Sequence, residues 1–245
     1  MKVAILGATR GIGRCMAEQL AERGDEIFVL GRDVGAVAAL AEQLEGRGAS
    51  GTVESAPCDL ADEGSFESAL GAAAAQLGAL DMVLVTAGVF AVQADLENDQ
   101  ERARELLELN VTSTIGFCEV ARRLLVEQGG GTLCVFSSVA GELPRKPVAV
   151  YGAAKAALTY YLDALDLTWR DAGLNVVTVK PGFVHTDMTA GLDPPPFATG
   201  PDEVARVVLR GLSRGKRVIY APPIWRYVMA ALRAIPRPLF RRLSI

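Results

Sequence analysis

The turn between the first predicted strand and the first predicted helix limits the fold of this chain more than any other stretch. Residues 3–6 form an apolar run typical of a buried strand, and Gly7-Ala-Thr-Arg-Gly11-Ile-Gly13 follows directly. A helical pattern then extends to Arg23. Glycines let a backbone approach a pyrophosphate, which binds at the N-terminus of the following helix. In this order of strand, turn and helix, a Gly-rich turn predicts dinucleotide binding.

Strand and helix patterns alternate through the rest of the chain. We predict further strands at 26–30, 51–56, 81–85, 132–136, 175–180 and 217–220, and helices that include 34–46, 101–128, 150–173 and 202–214. Half of the 245 residues are apolar, which is enough for a large core. The alternation predicts an α/β fold of the Rossmann type, with a doubly wound, seven-stranded parallel sheet and helices on both faces. We expect one domain over 1–245, with 221–245 as a C-terminal extension.

A tyrosine and a lysine stand four residues apart, at Tyr151 and Lys155, near the start of the helix predicted at 150–173. Side chains at this spacing share one helix face, so the ammonium would lie beside the phenol. A neighbouring positive charge favours phenolate and would lower the pKa of Tyr151 towards neutrality. Such a phenol exchanges protons with ketones and alcohols, a reaction that also needs a hydride carrier. Taken alone, the pair is more typical of a solvated helix face with a half-buried ring.

The segment after the second strand, Gly31-Arg32-Asp33, bears on the choice of cofactor. An acidic residue in this region binds a free ribose 2′-hydroxyl, whereas an arginine favours a 2′-phosphate. Arg32, together with Arg10 of the first turn, therefore predicts NADP(H) in preference to NAD(H). We interpret Asp33 as the N-cap of the helix predicted at 34–46.

Three other polar residues are candidates for the site. Asp59 follows the third strand and either accepts a hydrogen bond from an adenine amino group or caps a helix that begins near Ala61. Asn110 interrupts an apolar part of a helix, where an amide is unfavourable unless it is used elsewhere. Ser138 stands after the fifth strand, and ligands of open α/β sheets bind beyond the carboxyl ends of the strands.

Together these motifs resemble the short-chain dehydrogenase/reductase family over about residues 3–220. The resemblance is carried, in chain order, by Gly7, Gly11, Gly13, Asp59, Ala87, Gly88, Asn110, Ser138, Tyr151, Lys155, Pro181, Gly182 and Thr186. Two positions depart from the family pattern: Leu6 stands where the family often has Thr, and Thr86 replaces the usual Asn. Both departures concern the support of the cofactor loop rather than the type of reaction.

The resemblance implies an NAD(P)-dependent oxidoreductase that interconverts a ketone and a secondary alcohol. Tyr151 would be the general acid or base, and Ser138 would hold the substrate oxygen. Lys155 would lower the pKa of Tyr151 and bind the nicotinamide ribose, and Asn110 would hold a water that links Lys155 to solvent.

The resemblance also implies a set of cofactor contacts. These are Gly7, Thr9, Arg10, Gly11, Ile12 and Gly13 for the pyrophosphate loop, then Arg32, Asp59, Leu60, Ala87, Gly88, Tyr151, Lys155, Pro181, Gly182, Val184 and Thr186. The acidic residue that selects NAD in this family falls at the position of Gly31 and is absent, which matches NADP-type members. Homodimers or homotetramers are usual for the family.

Two other functions share parts of this pattern. A non-catalytic NADP-binding sensor or scaffold would usually have lost the Ser, Tyr and Lys set, which is present here. A sugar epimerase or dehydratase shares the Tyr and Lys pair, but it would need a larger C-terminal substrate domain than 245 residues provide.

The C-terminal extension is strongly basic, because 204–245 contains ten Arg and Lys and no acidic residue. A helix predicted at 224–235 carries an apolar stripe of Trp225, Val228, Met229, Leu232 and Ile235, and Arg237, Arg241 and Arg242 follow it. Such a segment either lies on an anionic membrane or packs on a neighbouring subunit. It is similar to the end of reductases that act on decaprenylphosphoryl-2-keto-pentose, which implies a lipid-linked carbonyl substrate.

The remaining features of the sequence predict the setting in which the chain works. It has no N-terminal signal, no apolar run long enough to span a bilayer, and four cysteines without paired spacing, so we expect a cytoplasmic protein, at most at the inner face of the membrane. We expect no metal and no nucleic-acid partner. The irregular stretch 189–200 is a candidate lid, and His185 is interpreted as a loop residue rather than a catalytic one.

Overall fold

Seven parallel strands form one sheet in a computed structural model that describes residues 1–46 and 51–240. The order across the sheet is β3-β2-β1-β4-β5-β6-β7. The strands are β1 (Lys2–Leu6), β2 (Glu26–Gly31), β3 (Val53–Pro57), β4 (Met82–Val85), β5 (Gly131–Phe136), β6 (Leu174–Pro181) and β7 (Val218–Ala221). The predicted fold class is confirmed, and every predicted strand is found within two residues of its expected ends.

Helices connect the strands and cover both faces of the sheet. They are α1 (Gly11–Glu22), α2 (Val34–Gly46), α3 (Gly64–Leu77), α4 (Gln93–Leu96), α5 (Gln100–Leu107), α6 (Thr114–Glu127), α7 (Ala149–Trp169), α8 (Pro201–Leu212), α9 (Trp225–Ala234) and α10 (Arg237–Phe240). Strand order reverses between β1 and β4, which are hydrogen-bonded neighbours. Open α/β sheets bind ligands at such a reversal, beyond the carboxyl ends of the strands.

Alternating side chains divide the core into two layers. In β1, Val3 and Ile5 face a cluster built with α1, α2 and α8, whereas Ala4 and Leu6 face a cluster built with α3, α6 and α7. Both faces of a parallel sheet are normally covered in this way, so most strand residues are apolar. The two layers leave only the ends of the strands available for polar chemistry.

The helix predicted at 101–128 is interrupted, which corrects the sequence-based expectation. Between α5 and α6 the chain forms a π-helical turn, Glu108–Ser113. The amide of Asn110 is bonded to the main chain of Val89, with Nδ2 2.8 Å from the carbonyl oxygen and Oδ1 3.1 Å from the nitrogen. Bonding to an element 21 residues away in sequence competes with a regular helix. The helix predicted at 150–173 also ends earlier, at Trp169.

The apolar stripe predicted for the C-terminal helix packs mainly against its own chain. Trp225 and Met229 of α9 are buried in a cluster with Val139, and Val228 and Leu232 pack at its edge. Neither of the two surfaces expected from the sequence, a membrane or a neighbouring subunit, is needed to cover this part of the stripe. Arg241 and Arg242 lie outside the described residues. Within the described ranges, no helix has the length and apolar character needed to cross a membrane.

Candidate active site

The Gly-rich turn is shaped by close contacts that exclude side chains. A Cβ atom on Gly7 would lie 2.5 Å from the main-chain nitrogen of Ala87, and one on Gly13 would lie 2.2 Å from the carbonyl oxygen of Gly7. Helix α1 begins at Gly11 without an acidic residue in its first turn and without a side-chain cap from Arg10. The N-terminus of α1 therefore has neither a capping side chain at Arg10 nor a carboxylate in its first turn that would repel an anion. These features fit the pyrophosphate of a dinucleotide.

Thr86 supports this turn, although it departs from the family pattern. Its hydroxyl lies 3.0 Å from the carbonyl oxygens of both Leu6 and Gly7, to which it donates. The contact ties the end of β4 to the end of β1 at the reversal of strand order. The sequence alone did not show how the loop is supported without the usual asparagine. In the structure the threonine hydroxyl supports it through these hydrogen bonds.

The residues expected around the adenosine lie at the ends of β2 and β3. Asp33 accepts a hydrogen bond from the Ala36 nitrogen at 3.0 Å, which confirms that it caps α2. Asp59 accepts from the Ala61 nitrogen at 3.0 Å and so closes a turn, because α3 begins only at Gly64. Arg10 and Arg32 are exposed, and neither forms an ion pair with another residue of the described ranges. Both guanidinium groups are thus available to an anion.

Ser138, Tyr151 and Lys155 are brought together beyond the carboxyl end of β5. Ser138 follows that strand, and Tyr151 and Lys155 lie in the first two turns of α7. The Ser138 hydroxyl interacts with the Tyr151 phenol. The Lys155 ammonium donates to the Phe136 carbonyl oxygen at 3.0 Å and lies 5.8 Å from the centre of the Tyr151 ring. All three side chains are buried or half-buried.

Contacts that the sequence analysis missed hold α7 against the loop of Ser138. The Ser137 hydroxyl lies 3.0 Å from the Lys155 carbonyl oxygen and 2.7 Å from the Thr159 hydroxyl. A Cβ on Gly141 would lie 2.7 Å from the main chain of Lys155, and one on Gly152 would lie 2.8 Å from the Ala140 carbonyl oxygen. In the sequence, this close contact between α7 and the loop is indicated only by the glycines at positions 141 and 152.

The pKa of Tyr151 moves opposite to the sequence-based expectation. Burial raises the pKa of Tyr151 to about 12, which outweighs the hydrogen bond from Ser138. Burial also lowers the pKa of Lys155 to about 8. The predicted fall towards neutrality is therefore wrong for the protein alone, because desolvation penalises both charged forms. Tyr151 is a neutral proton donor near pH 7, and Lys155 is close to its titration point.

The low pKa of Lys155 predicts a pH-dependent contribution to stability. Its folded pKa lies below the ordinary value of 10.5, so the unfolded chain binds more protons between about pH 8 and 10.5. Below pH 8 the buried lysine is charged, and the folded state bears the full free-energy cost of burying that charge. This cost falls as pH rises from 8 to 10.5, because the folded protein then holds a neutral lysine. We expect the free energy of unfolding of the wild type, relative to Lys155→Met, to increase by about 2 kcal/mol from pH 7 to 10. Urea unfolding of both proteins measures this difference, and a flat or falling difference would contradict it.

Asn110 fixes the backbone beside Lys155. Its side chain is almost fully buried and bonded to Val89, as described above. A Cβ on Gly88 would lie 2.7 Å from Asn110 Oδ1 and 3.6 Å from Lys155 Nζ, so the two side chains flank the same glycine. The π-helical turn thus places Asn110 next to the predicted catalytic lysine. The water expected from the family resemblance stays a prediction.

The segment after β6 joins the Gly-rich turn to the C-terminal helix. A Cβ on Gly11 would lie 3.4 Å from the methyl group of Thr186. Val184 is buried and pairs with Thr199. Gly182 is covered by the indole of Trp225, since a Cβ there would lie 1.9 Å from Trp225 Nε1. Trp225 was not predicted as a site residue, because amphipathic spacing indicates a buried face without showing what covers it.

The histidine, the remaining predicted cofactor contacts and the cysteines lie outside the Ser138, Tyr151 and Lys155 group. His185 is exposed and its ring meets Phe183 edge to face, with 5.7 Å between ring centres, which agrees with a loop role. Leu60 and Pro181 are buried, whereas Thr9, Ile12 and Ala87 are half-buried beside the turn. Cys58, Cys118 and Cys134 are buried thiols, and Cys15 is half-buried.

Comparison with known proteins places this site in context. A family model described as short chain dehydrogenase matches residues 1–195. An uncharacterized oxidoreductase of Streptomyces coelicolor is 35% identical over 242 residues, which cover 98% of this chain and 95% of the relative. Carbonyl reductase family member 4 of Xenopus tropicalis is 29% identical over 214 residues, covering 84% and 88%. A short-chain type dehydrogenase/reductase from Mycobacterium ulcerans shares the fold, with a TM-score of 0.82 at 23% identity and coverage of 98% and 97%.

Proposed function

The chain belongs to the short-chain dehydrogenase family of NAD(P)-dependent oxidoreductases, and from this premise we propose that it interconverts a ketone and a secondary alcohol with NADP(H). The observation that carries the proposal is the convergence of Ser138, Tyr151 and Lys155 beside a Gly-rich turn fitted to a pyrophosphate. The nicotinamide, when bound, supplies or accepts the hydride. Everything else in the reaction is proton transfer and positioning by residues of this chain.

In our proposal Tyr151 carries the proton. With a pKa of about 12 the phenol is neutral at working pH and can protonate a carbonyl oxygen as negative charge develops there. The Ser138 hydroxyl, which interacts with the phenol, holds the same oxygen and stabilises that charge. In the opposite direction the phenolate takes the alcohol proton, and positive charge near the ring would lower its pKa.

Lys155 is proposed to restore the proton on Tyr151 and to bind the nicotinamide ribose. Its pKa of about 8 allows it to lose or gain a proton close to neutral pH. Asn110 lies beside it and is proposed to hold the water that completes the route to solvent. We assign the pyrophosphate to the turn at Gly7–Gly13, the adenine to Asp59 and Leu60, and the nicotinamide amide to Val184 and Thr186.

The preference for NADP(H) rests on Arg10 and Arg32. Both are exposed and lack an ion-pair partner within the described ranges, which suits a phosphate on the ribose. An acidic side chain at position 31 would be crowded, because a Cβ there would lie 2.9 Å from Val37 Cγ1. NAD(H) remains the weaker alternative in this proposal.

Replacing these arginines is expected to weaken NADPH selectively. We expect Arg32→Gln or Arg10→Gln to raise the KM for NADPH by about tenfold, the effect of about 1.4 kcal/mol, and to leave the KM for NADH nearly unchanged. Steady-state kinetics with each cofactor measure the ratio. Arg214→Gln is the matched control, because Arg214 is also exposed and precedes β7, the strand at the opposite edge of the sheet. An equal rise with both cofactors would assign the arginines a general role instead.

We further propose that the substrate is hydrophobic or lipid-linked, and that the protein meets it at an anionic membrane surface. At the start of α9, its N-cap residue Ile224 and the helical residues Arg226 and Tyr227 are exposed, which brings apolar, basic and aromatic groups close together in the chain. A homodimer or homotetramer in the cytoplasm is the proposed form of the enzyme, by analogy with the family.

The proposed function is tested by following NADPH oxidation with soluble keto-sugars, hydrophobic ketones and a polyprenyl-phosphate keto-pentose. The reactions are run with and without anionic liposomes. Turnover confined to the lipid-linked ketone and enhanced by liposomes would support the membrane proposal. Turnover of soluble ketones without a liposome effect would limit the proposal to a general reductase. NADPH binding without any turnover would indicate a sensor rather than an enzyme.

A further inference from the structure

A buried carboxylate that the proposed reaction does not use lies four residues after Ser138. The side chain of this residue, Glu142, is 4% exposed. Its Oε1 atom accepts hydrogen bonds from the Lys180 ammonium at 2.9 Å and from the Tyr220 hydroxyl at 2.5 Å. Its Oε2 atom lies 3.2 Å from the Arg233 guanidinium, in an ion pair without hydrogen-bond geometry. One carboxylate thus joins the loop of Ser138 to β6, β7 and α9.

Hydrogen bonds within one short turn connect Glu142 to Ser138. The Glu142 nitrogen donates to the Val139 carbonyl oxygen at 3.1 Å. The Ser138 hydroxyl accepts from the Ala140 nitrogen at 3.1 Å. These bonds belong to a single 3₁₀ turn, Val139–Gly141, which has Ser138 at its beginning and Glu142 at its end. A displacement of Glu142 is therefore passed to the serine, because only one turn separates them.

The same carboxylate also holds the second segment that contacts the serine. Lys180 immediately precedes Pro181, whose carbonyl oxygen lies 3.5 Å from the Ser138 hydroxyl. This distance is at the limit for a hydrogen bond, so the hydroxyl can turn to a substrate oxygen at little cost. Glu142 is therefore bonded to both segments that surround the serine hydroxyl, through its own turn and through Lys180.

The place of the serine hydroxyl matters for the proton donor. In the proposed reaction Ser138 and Tyr151 reach the same substrate oxygen, and the two side chains already interact in the protein alone. A misplacement of about 1 Å in a catalytic site can cost about 100-fold in rate. Small shifts of the turn that carries Ser138 should therefore be visible in the rate of reduction.

The charges around Glu142 make it a fixed support for this turn. Burial, together with the hydrogen bond to Glu142, raises the pKa of Tyr220 to about 12, so this phenol is a neutral donor at working pH. The Lys180 side chain is 11% exposed, and without the carboxylate its buried ammonium would lack a compensating anion. Movement of Lys180 or of the turn would then relieve the cost by admitting water.

We propose that Glu142 is a positioning residue, whose carboxylate holds the Ser138 hydroxyl in the place needed for ketone reduction. It acts through Ser138 and does not touch the substrate. The inference rests on the proposed function, because it assumes that Ser138 and Tyr151 hold the reacting carbonyl. Two of the partners of the carboxylate, Tyr220 and Arg233, lie beyond residue 195, where the match to the family model ends.

The test is a double-mutant cycle between Glu142→Gln and Ser138→Ala. We expect Glu142→Gln to lower the rate constant of NADPH oxidation in a single turnover by about tenfold, with the ketone that the wild type reduces fastest. In the Ser138→Ala protein the same substitution should lower it by less than about twofold, because no hydroxyl remains to be misplaced. A role limited to stability would instead cost the same factor in both proteins.

Glu119→Gln is the matched control for the loss of a carboxylate charge. Glu119 accepts a hydrogen bond from the Tyr161 hydroxyl at 2.7 Å and pairs with Arg122 at 2.8 Å. These contacts join α6 to α7 in the core layer built with α3. The single-turnover rate constant of Glu119→Gln should therefore equal that of the wild type.

Tyr220→Phe is a second variant that keeps the buried ion pair of Glu142 with Lys180. It removes one hydroxyl that donates to the carboxylate and leaves the ring in place, so the fold should be retained. We expect the same rate constant to fall by about threefold, the effect of one neutral hydrogen bond, and to be unchanged by this substitution in Ser138→Ala. Tyr161→Phe is its control, since that hydroxyl donates to Glu119 instead.

The outcomes separate the inference from the proposed function. A wild-type rate constant in Tyr220→Phe, or an equal loss with and without the serine hydroxyl, would overturn the inference even where Glu142→Gln does not fold. A wild-type rate constant in Ser138→Ala would refute both the inference and the role proposed for that serine. If the wild type oxidises NADPH with no ketone of the panel, the proposed function itself has failed.

Discussion

Tyr151→Phe is expected to lose at least about 100-fold in kcat for NADPH-dependent ketone reduction, the usual contribution of a positioned general acid. The substitution removes only the hydroxyl, and the ring keeps its edge-to-face contact with Phe90, 4.9 Å between centres. Because the phenol is neutral in the folded protein, no charge is lost and the fold should be retained. The Kd for NADPH, measured by fluorescence titration, should change by no more than about fivefold, since at most one neutral hydrogen bond to the cofactor is lost.

Tyr160→Phe is the control for this prediction. Tyr160 lies on the same helix but is 81% exposed, so the loss of its hydroxyl should not affect turnover. If Tyr151→Phe keeps more than about a tenth of the wild-type kcat, another group supplies the proton and the assignment of Tyr151 as general acid is wrong.

Gly13→Ala is expected to weaken cofactor binding strongly at the Gly-rich turn. Its new methyl group would lie 2.2 Å from the Gly7 carbonyl oxygen and 2.4 Å from the Thr86 hydroxyl, so the turn must move away from α1. Overpacking of this kind costs about 1–3 kcal/mol in the free energy of unfolding. Displacement of the helix N-terminus should also weaken NADPH binding. A loss of about 1.4 to 3 kcal/mol in binding free energy corresponds to a rise in the Kd of about 10- to 100-fold.

Gly71→Ala separates this effect from a general change of glycine to alanine. Gly71 is exposed in the middle of α3, and no atom lies within 4 Å of its Cβ position. Alanine there should stabilise the protein by up to about 1 kcal/mol through its helix propensity, and NADPH binding should stay the same. Wild-type affinity for NADPH in Gly13→Ala would show that the pyrophosphate binds elsewhere.

The sequence was most informative where the structure depends on neighbouring residues. The turn after β1 requires glycines in a local order, and Tyr151 and Lys155 meet because a helix brings every fourth residue to one face. Short continuous apolar runs identified the strands, since a parallel sheet buries both of its faces. In each case the physical cause lies within about ten residues of the chain.

The missed features depend on contacts between distant segments. The π-helical turn follows from the bond of Asn110 to Val89, and the packing of Trp225 on Gly182 joins positions 43 residues apart. The direction of the Tyr151 pKa shift depends on burial, which no spacing of residues reveals. The apolar stripe of α9 was recognised in the sequence, but the surface that covers it became clear only from the fold.

The carboxylate of Glu142 gives the C-terminal helix direct influence over the loop of Ser138. Through Lys180, Tyr220 and Arg233 it makes that helix part of the framework that positions the serine, while the adenosine end of the sheet is untouched. The two ends of the sheet can therefore diverge separately in evolution. Relatives can retain the nucleotide half unchanged and acquire new substrates by exchanging the residues after β7, provided that a partner for this carboxylate is kept.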